Sequence, residues 1–250
     1  MERNFMKILK RTLLVVLAAW PLMGLASGGE LKDDVAPINP QDKISLQRGA
    51  RTFVNYCMGC HSAAYMRYSR LTDLGLTEQQ IKENLVPTGA KVGETMAIAM
   101  THEDAKTWFG TAPPDLSVIA RSRGADWLYT YLRTYYRDPS TATGWNNLRF
   151  PNVGMPHVLW QLQGTQVLHV SEKEEHGHKM EVRQLALEKP GQLSPKEYDL
   201  FVADLVNYLS YMAEPAKTQR TQLGIIVLFF LVLFFVVVLF LKKEYWKDIR

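Results

Sequence analysis

Nineteen consecutive residues without a charge, LGIIVLFFLVLFFVVVLFL from Leu223 to Leu241, constrain this chain more than any other stretch in it. As a helix rising ~1.5 Å per residue the run is about 28 Å long, close to the thickness of a bilayer's hydrocarbon core. It is apolar on every face, whereas a helix packed on a soluble core keeps a polar side for water. Lys242 and Lys243 follow at once, then Tyr245 and Trp246. Cationic residues mark the cytoplasmic end of a span and aromatic rings settle at the interface. The expectation is a single C-terminal transmembrane anchor over residues 221–243 and a short cytoplasmic tail, 244–250.

The other end carries a second targeting signal. Arg3, Lys7, Lys10 and Arg11 flank or precede an apolar run from Leu13 to Leu25, and small residues occupy Ala26 to Gly29. That order reads as a secretory signal peptide, residues 1–28, cleaved near Gly28. The alternative, an uncleaved anchor, fits the short run and the small-residue exit less well. Residues 29–220 are then an exported domain tethered by the C-terminus to the outer face of a cytoplasmic membrane. The formal charge of +4 is a property of the ends. Residues 1–28 and 242–250 hold eight of the 29 Lys and Arg and three of the 25 Asp and Glu, which leaves 21 against 22. A domain so near neutrality has no electrostatic footprint for nucleic acid.

The chain has two cysteines, both in NYCMGCHS: Cys57, Cys60 and then His61. An exported pair could form a disulfide, and a C-x-x-C could be a thioredoxin-like redox pair. Neither reading gives His61 a task. C-x-x-C-H is the attachment signature of a c-type haem. Two thiols one helical turn apart can add to the two vinyl groups of a porphyrin, and the following imidazole becomes the proximal iron ligand. Gly59 would let the ring lie close to the backbone. Zinc needs four ligands, and there is no second cysteine pair to complete such a site. Upstream, KISLQRGARTFVNYC places Ile44, Leu46, Ala50, Phe53, Val54 and Cys57 mostly at spacings of three and four, the pattern of an amphipathic helix running to the motif.

A histidine-bound iron leaves a sixth position. Open, it permits oxygen or ligand chemistry; filled by Met or His, it serves electron transfer. Met58 and Met66 lie too close to the attachment turn to cross the ring. Met96 and Met100, four apart in GETMAIAM, read as one face of a helix and as packing. Met155, in FPNVGMPHVLW, sits between Gly154 and Pro156 in a segment too broken for a helix. A loop can carry a side chain across a haem face. A lone methionine is usually core filler, but with a covalent haem implied Met155 is the favoured candidate. His157, two residues on, is its rival. His176 and His178 fall in a charged run, SEKEEHGHK, between two strand-like stretches that read as a hairpin from Gln166 to Glu188.

Taken together, RGARTFVNYCMGCHS, TAPPDLSVIARSRGADWLYTYLRTYY, the Gly-Met-Pro turn, LSPKEYDLFVADLVNYLSYMAEP and the terminal anchor resemble the cytochrome c1 family. The resemblance covers roughly residues 40 to 250. The attachment motif is common to many cytochromes; the ordered set is specific. It implies a mainly α, class I-like cytochrome c domain with two insertions, a long loop and the β-hairpin, plus one C-terminal transmembrane helix. It implies one covalently bound haem c, with Met155 as the axial partner of His61, although the proline here follows the methionine directly. Pro113 and Pro114 match the pair lining the haem edge. Arg123 matches an arginine that meets a haem propionate, with Arg121 beside it, and a solvated surface role is the alternative for either. Trp127 stands where many members have tyrosine; an indole can donate but not accept. TAPPDLS is expected to turn into one long aromatic-rich helix, and Ser194, Pro195 and Glu197 to open a late one.

The implied function is one-electron transfer from a Rieske iron–sulfur subunit to a soluble or membrane-anchored cytochrome c. It would occur beside cytochrome b in a dimeric bc1 complex of a bacterial inner membrane, with the haem domain in the periplasm. The chain would have no substrate site of its own. Three rivals differ in class or setting: another anchored cytochrome such as an oxidase subunit, a haem-free thiol oxidoreductase, and a haem sensor or peroxidase with an open sixth position.

Overall fold

The computed structural model describes residues 32–87, 89–175 and 178–248. The expected signal peptide, His176 and the last two residues of the tail lie outside them. The first helix, α1 (Lys43–Thr52), starts where Asp42 Oδ1 accepts from the amides of Ile44 and Ser45, at 3.0 Å each. The chain stays helical beyond Thr52 but widens into a π turn over Phe53–Cys57, closed by the Met58 amide on the Phe53 carbonyl at 3.0 Å. The expected amphipathic helix is therefore two pieces. Such a wider turn rotates the residues after it relative to the α-helical face, and π turns recur at functional sites.

Next come β1 (Ala63–Arg67), a 3₁₀ stretch (Tyr68–Leu74), α2 (Glu78–Asn84), the two-residue β2 (Thr95–Met96) and α3 (His102–Phe109). Met96 and Met100 do not share a helix. Met96 pairs with Ala63 across β1–β2 and is wholly buried, with its sulfur accepting from Tyr208 Oη at 3.5 Å. Met100 lies in the irregular stretch before α3. A spacing of four is a multiple of two as well as one helical turn, so it does not separate strand from helix. α3 opens on Thr101, whose hydroxyl accepts from the Asp104 amide at 3.1 Å.

The long aromatic helix is also divided. α4 (Ile119–Arg123) and α5 (Ala125–Arg133) meet at Gly124, which has φ of 92° and breaks the helical path. Tyr135 and Tyr136 leave α5 for β3 (Tyr135–Arg137), antiparallel to β4 (Trp145–Asn147). After α6 (Trp160–Gln163), strands β5 (Gly164–Glu175) and β6 (His178–Pro190) form a long hairpin with Gln166 opposite Leu187 and Glu175 opposite His178. α7 (Pro195–Ala213) begins with a complete capping box between Ser194 and Glu197. α8 (Lys217–Tyr245) follows. Its segment Gln219–Tyr245, whose most apolar 18-residue window has a mean hydropathy of 3.5 and is not buried, is the one described helix long and apolar enough to cross a membrane.

α1 and α7 form the centre of the main core, α7 contributing Tyr198 and Tyr208, with Phe53, Tyr68 and Leu71 around them. Their contact is close at Gly49, where an added Cβ would lie 2.1 Å from the Asp204 carbonyl oxygen and 2.6 Å from Tyr208 Cβ. Arg48 beside it reaches the Asp204 carboxylate at 2.9 Å through Nη2. A second, small cluster of Tyr135, Trp145 and Val153 stands apart, with Tyr131 and Met155 packed on it. Because the obstacle at Gly49 is backbone, Gly49→Ala should force the helices apart and lower stability by about 3 kcal/mol or more. Denaturant unfolding of the detergent-solubilised full chain checks this.

Candidate haem site

The attachment turn is helical. The amides of Cys60 and His61 both donate to the Cys57 carbonyl, at 3.1 and 2.9 Å. Cys57 and Cys60 are free thiols, each half-buried. Burial, with Cys60 as a lesser cause, pushes the Cys57 thiol up to about 12. Beside them Met58 is buried under Tyr68, whose hydroxyl donates to its sulfur at 3.7 Å. Nothing in the protein lies within 4 Å of a Cβ placed on Gly59, so the turn faces open space there.

His61 is buried, and its Nδ1 lies 2.7 Å from the Pro114 carbonyl oxygen. Donation from Nδ1 leaves the lone pair on Nε2, the tautomer required of a metal ligand. Loss of water lowers the His61 pKa, opposed by that hydrogen bond and by Asp115, so the ring is held neutral. The Pro114 carbonyl is itself fixed by a run of bonds between residues 62–65 and 115–117. The Leu116 amide donates to the Ser62 carbonyl (2.9 Å), the Ala64 amide to Asp115 Oδ2 (2.8 Å) and the Tyr65 amide to Ser117 Oγ (3.0 Å). The Ser117 amide donates to Asp115 Oδ1 at 2.8 Å. Asp115 and Ser117, present in the quoted motif without an assigned task, are thus what holds Pro114 against His61. Pro113 is half-buried and Pro114 itself exposed.

Met155 lies half-buried at the edge of the small cluster. Its loop is held by two asparagines. Asn147 is completely buried; its Oδ1 accepts from the amides of Arg149 and Phe150, at 2.9 Å each, and its Nδ2 donates to the Tyr131 carbonyl at 2.7 Å. Asn146 Oδ1 accepts from the amide of Asn152 at 2.8 Å, where Asn152 takes a φ of 60°. The Met155 sulfur accepts from Tyr131 Oη at 3.5 Å. His157, by contrast, is inside the cluster, stacked on Tyr135 at 4.8 Å and edge-on to Trp145 at 5.1 Å. Burial takes its pKa down to about 4, with Gln163 opposing. Of the two rivals, the methionine is the one at the cluster's margin.

Arg123 and Trp127 come together. The guanidinium lies 5.1 Å from the Trp127 ring centre and 5.8 Å from that of Phe150, and Trp127 stacks on Tyr131 at 4.9 Å. A second arginine, unforeseen in the sequence, approaches the same indole: Arg149 at 5.8 Å, paired with Asp33 through Nη2 at 3.2 Å. Arg121 is exposed on α4 and is not brought to this group.

The site residues therefore form two sets, one around His61 and one around Met155. A single stretch joins them. Thr111 Cγ2 lies 3.8 Å from the place of a Cβ on Gly154, next to Met155. Pro114, three residues on, carries the carbonyl bonded to His61. Three extended residues span at most ~11 Å, so the chain that binds the His61 ring at Pro114 also passes near Gly154 at Thr111. Among the described residues no group of three or more His, Cys, Asp or Glu could hold a bare metal ion. Two free thiols three residues apart and an imidazole with its Nε2 lone pair available instead fit a metal that brings its own equatorial ligands, as haem c does.

Comparisons with known proteins agree. A sequence model of the cytochrome C1 family matches residues 35–188 and 191–249. The chain is 46% identical to cytochrome c1 of Allochromatium vinosum over 96% of its own length and 99% of that protein's. It is 28% identical to cytochrome c1 of Rhodospirillum rubrum over 84% and 83%. It is also 52% identical to a Nitrosomonas europaea protein named ammonia monooxygenase gamma subunit, over 98% of this chain and 100% of that one.

Asn147→Ala should leave the amides of Arg149 and Phe150 without their acceptor at a part-buried site. The expected loss is about 2–4 kcal/mol, read as a lowered thermal midpoint of the full-length protein.

Proposed function

The chain belongs to the cytochrome c1 family, whose members transfer electrons in the bc1 complex with cytochrome b and a Rieske subunit; we propose that it accepts single electrons from the Rieske iron–sulfur subunit and delivers them to a soluble or membrane-anchored cytochrome c. It carries one covalently bound haem c. Cys57 and Cys60 would hold the porphyrin through their sulfurs, and His61 and Met155 would hold its iron. The observation that carries this reading is the His61–Pro114 bond, which leaves the lone pair of a neutral imidazole on Nε2, next in sequence to a pair of free thiols.

Bound there, the haem supplies a one-electron iron couple. The protein's part is to keep geometry constant as the charge changes. The carbonyl of Pro114 orients the imidazole and raises its basicity. The loop locked by Asn147 presents the thioether, a soft donor that favours the reduced iron and a high potential. Arg123 stands for a haem propionate, where a planar guanidinium offers two donors. Trp127 can add an indole donor, and Pro113 and Pro114 line the haem edge. Arg121, exposed on α4, is left to the surface or to a second propionate contact.

Residues 1–28 serve as the signal peptide, residues 29–220 as the periplasmic domain and 221–243 as the inner-membrane anchor, with 244–250 cytoplasmic. The complex is a dimer. A second reading comes from the Nitrosomonas relative's name, which belongs to a subunit of an oxygenase. Purification from native membranes separates the two: cytochrome b and a Rieske protein should accompany this chain, and monooxygenase subunits in their place would favour the second.

Met155→Leu should keep the covalent haem, lower the midpoint potential and open the iron to carbon monoxide; an unchanged potential would remove Met155 as the ligand. His61→Ala should lose stable holoprotein, and an unaltered haem spectrum would overturn the attachment assignment.

A further inference from the structure

We propose that Tyr131 is a positioning residue for the axial sulfur: its hydroxyl donates a hydrogen bond to Met155 Sδ, aims the thioether and raises the haem's midpoint potential. This deepens the reading above and rests on Met155 being the axial ligand.

The direction of the bond follows from counting protons. Tyr131 Oη lies 3.5 Å from Met155 Sδ and 2.5 Å from Tyr135 Oη. A thioether can only accept. Tyr135 is 1% exposed, and its hydroxyl meets that of Tyr131. If Tyr131 donated to Tyr135, the Tyr135 proton would be stranded in an apolar cluster and the sulfur would receive nothing. Burying an unpartnered O–H costs about 1–3 kcal/mol. The arrangement that satisfies every group is Tyr135 O–H to Tyr131 Oη, and Tyr131 O–H to Sδ. In that order the first bond polarises the second.

Both ends of the O–H···S contact are fixed. The Tyr131 ring is stacked on Trp127 at 4.9 Å and meets Tyr135 nearly edge-on at 5.3 Å. Its backbone carbonyl accepts from Asn147 Nδ2, and the same asparagine holds the amides of the methionine loop. One side chain therefore sets donor and acceptor relative to each other. A thioether sulfur has two lone pairs. With one taken by the Tyr131 proton, the other is directed elsewhere, and the sulfur becomes a weaker donor. A weaker donor costs ferric iron more than ferrous, so the contact shifts the couple toward reduction.

The test is a redox titration of the full-length, haem-loaded protein in its membrane complex, for wild type, Tyr131→Phe, Tyr135→Phe, Met155→Leu and the Tyr131→Phe/Met155→Leu double variant. Phenylalanine keeps the rings and removes the protons. Tyr131→Phe should move the midpoint potential down and the near-infrared sulfur-to-ferric-iron band to higher energy. Tyr135→Phe should move both the same way by less. In the Met155→Leu background Tyr131→Phe should add no further shift. A potential and band unchanged in Tyr131→Phe overturn the proposal, as does an equal shift with and without Met155, which would make the effect one of the pocket at large. Should Tyr131→Phe fail to accumulate, Tyr135→Phe decides alone, and an unshifted potential there overturns it. If Met155→Leu itself leaves the potential unmoved, the ligand reading falls and the proposal with it; if only Tyr131→Phe is silent, the ligand reading stands.

Discussion

The 2.7 Å contact between His61 Nδ1 and the Pro114 carbonyl joins the attachment turn to the rest of the domain. Without it the imidazole could rotate or take the other tautomer, and Nε2 would no longer be committed as a donor. The contact is itself a consequence of register. Asp115 and Ser117 accept amides from residues 64 and 65, so the two strands of chain cannot slide past each other without breaking several bonds at once. Pro114 has no amide to donate and a restricted φ, which suits a position used only for its carbonyl. At the other end of the same stretch, Thr111 lies 3.8 Å from where a Cβ on Gly154 would stand, beside the methionine loop.

The distal side depends on burial where the proximal side depends on register. Tyr135, Trp145, Val153 and His157 form a core too small to be the main one. Its function is to give Asn147 a dry setting in which three of its hydrogen bonds hold Met155's loop and the carbonyl of Tyr131. His157, which competed with Met155 on paper, is one of the rings that builds this support. Its burial and low proton affinity suit a neutral packing role.

Much of this was legible in the residues alone. Cys57, Cys60 and His61 have a spacing that one cofactor explains, and the uncharged run after Leu223 has no soluble reading that fits its length. The box at Ser194–Glu197 appears where its pattern places it. Other features carried no pattern. Met96 and Met100 are four apart, which both periods allow, and tertiary pairing with β1 decided for strand. The aromatic helix was divided at Gly124 because a single residue at positive φ outweighs the periodicity on either side. Asn147, Tyr131 and Arg149 were invisible because their importance lies in partners 16 to 116 residues away. A buried asparagine has no signature in sequence, and a tyrosine among five aromatics reads as packing.

Family membership gives a covalent haem c that serves electron transport, and the ligands proposed for its iron are His61 and Met155. The most direct check is near-infrared magnetic circular dichroism of the oxidised, full-length protein in its native complex. The account predicts the sulfur-to-ferric-iron transition of a bound thioether at neutral pH. A spectrum with bis-histidine or high-spin signatures and no such transition would contradict it.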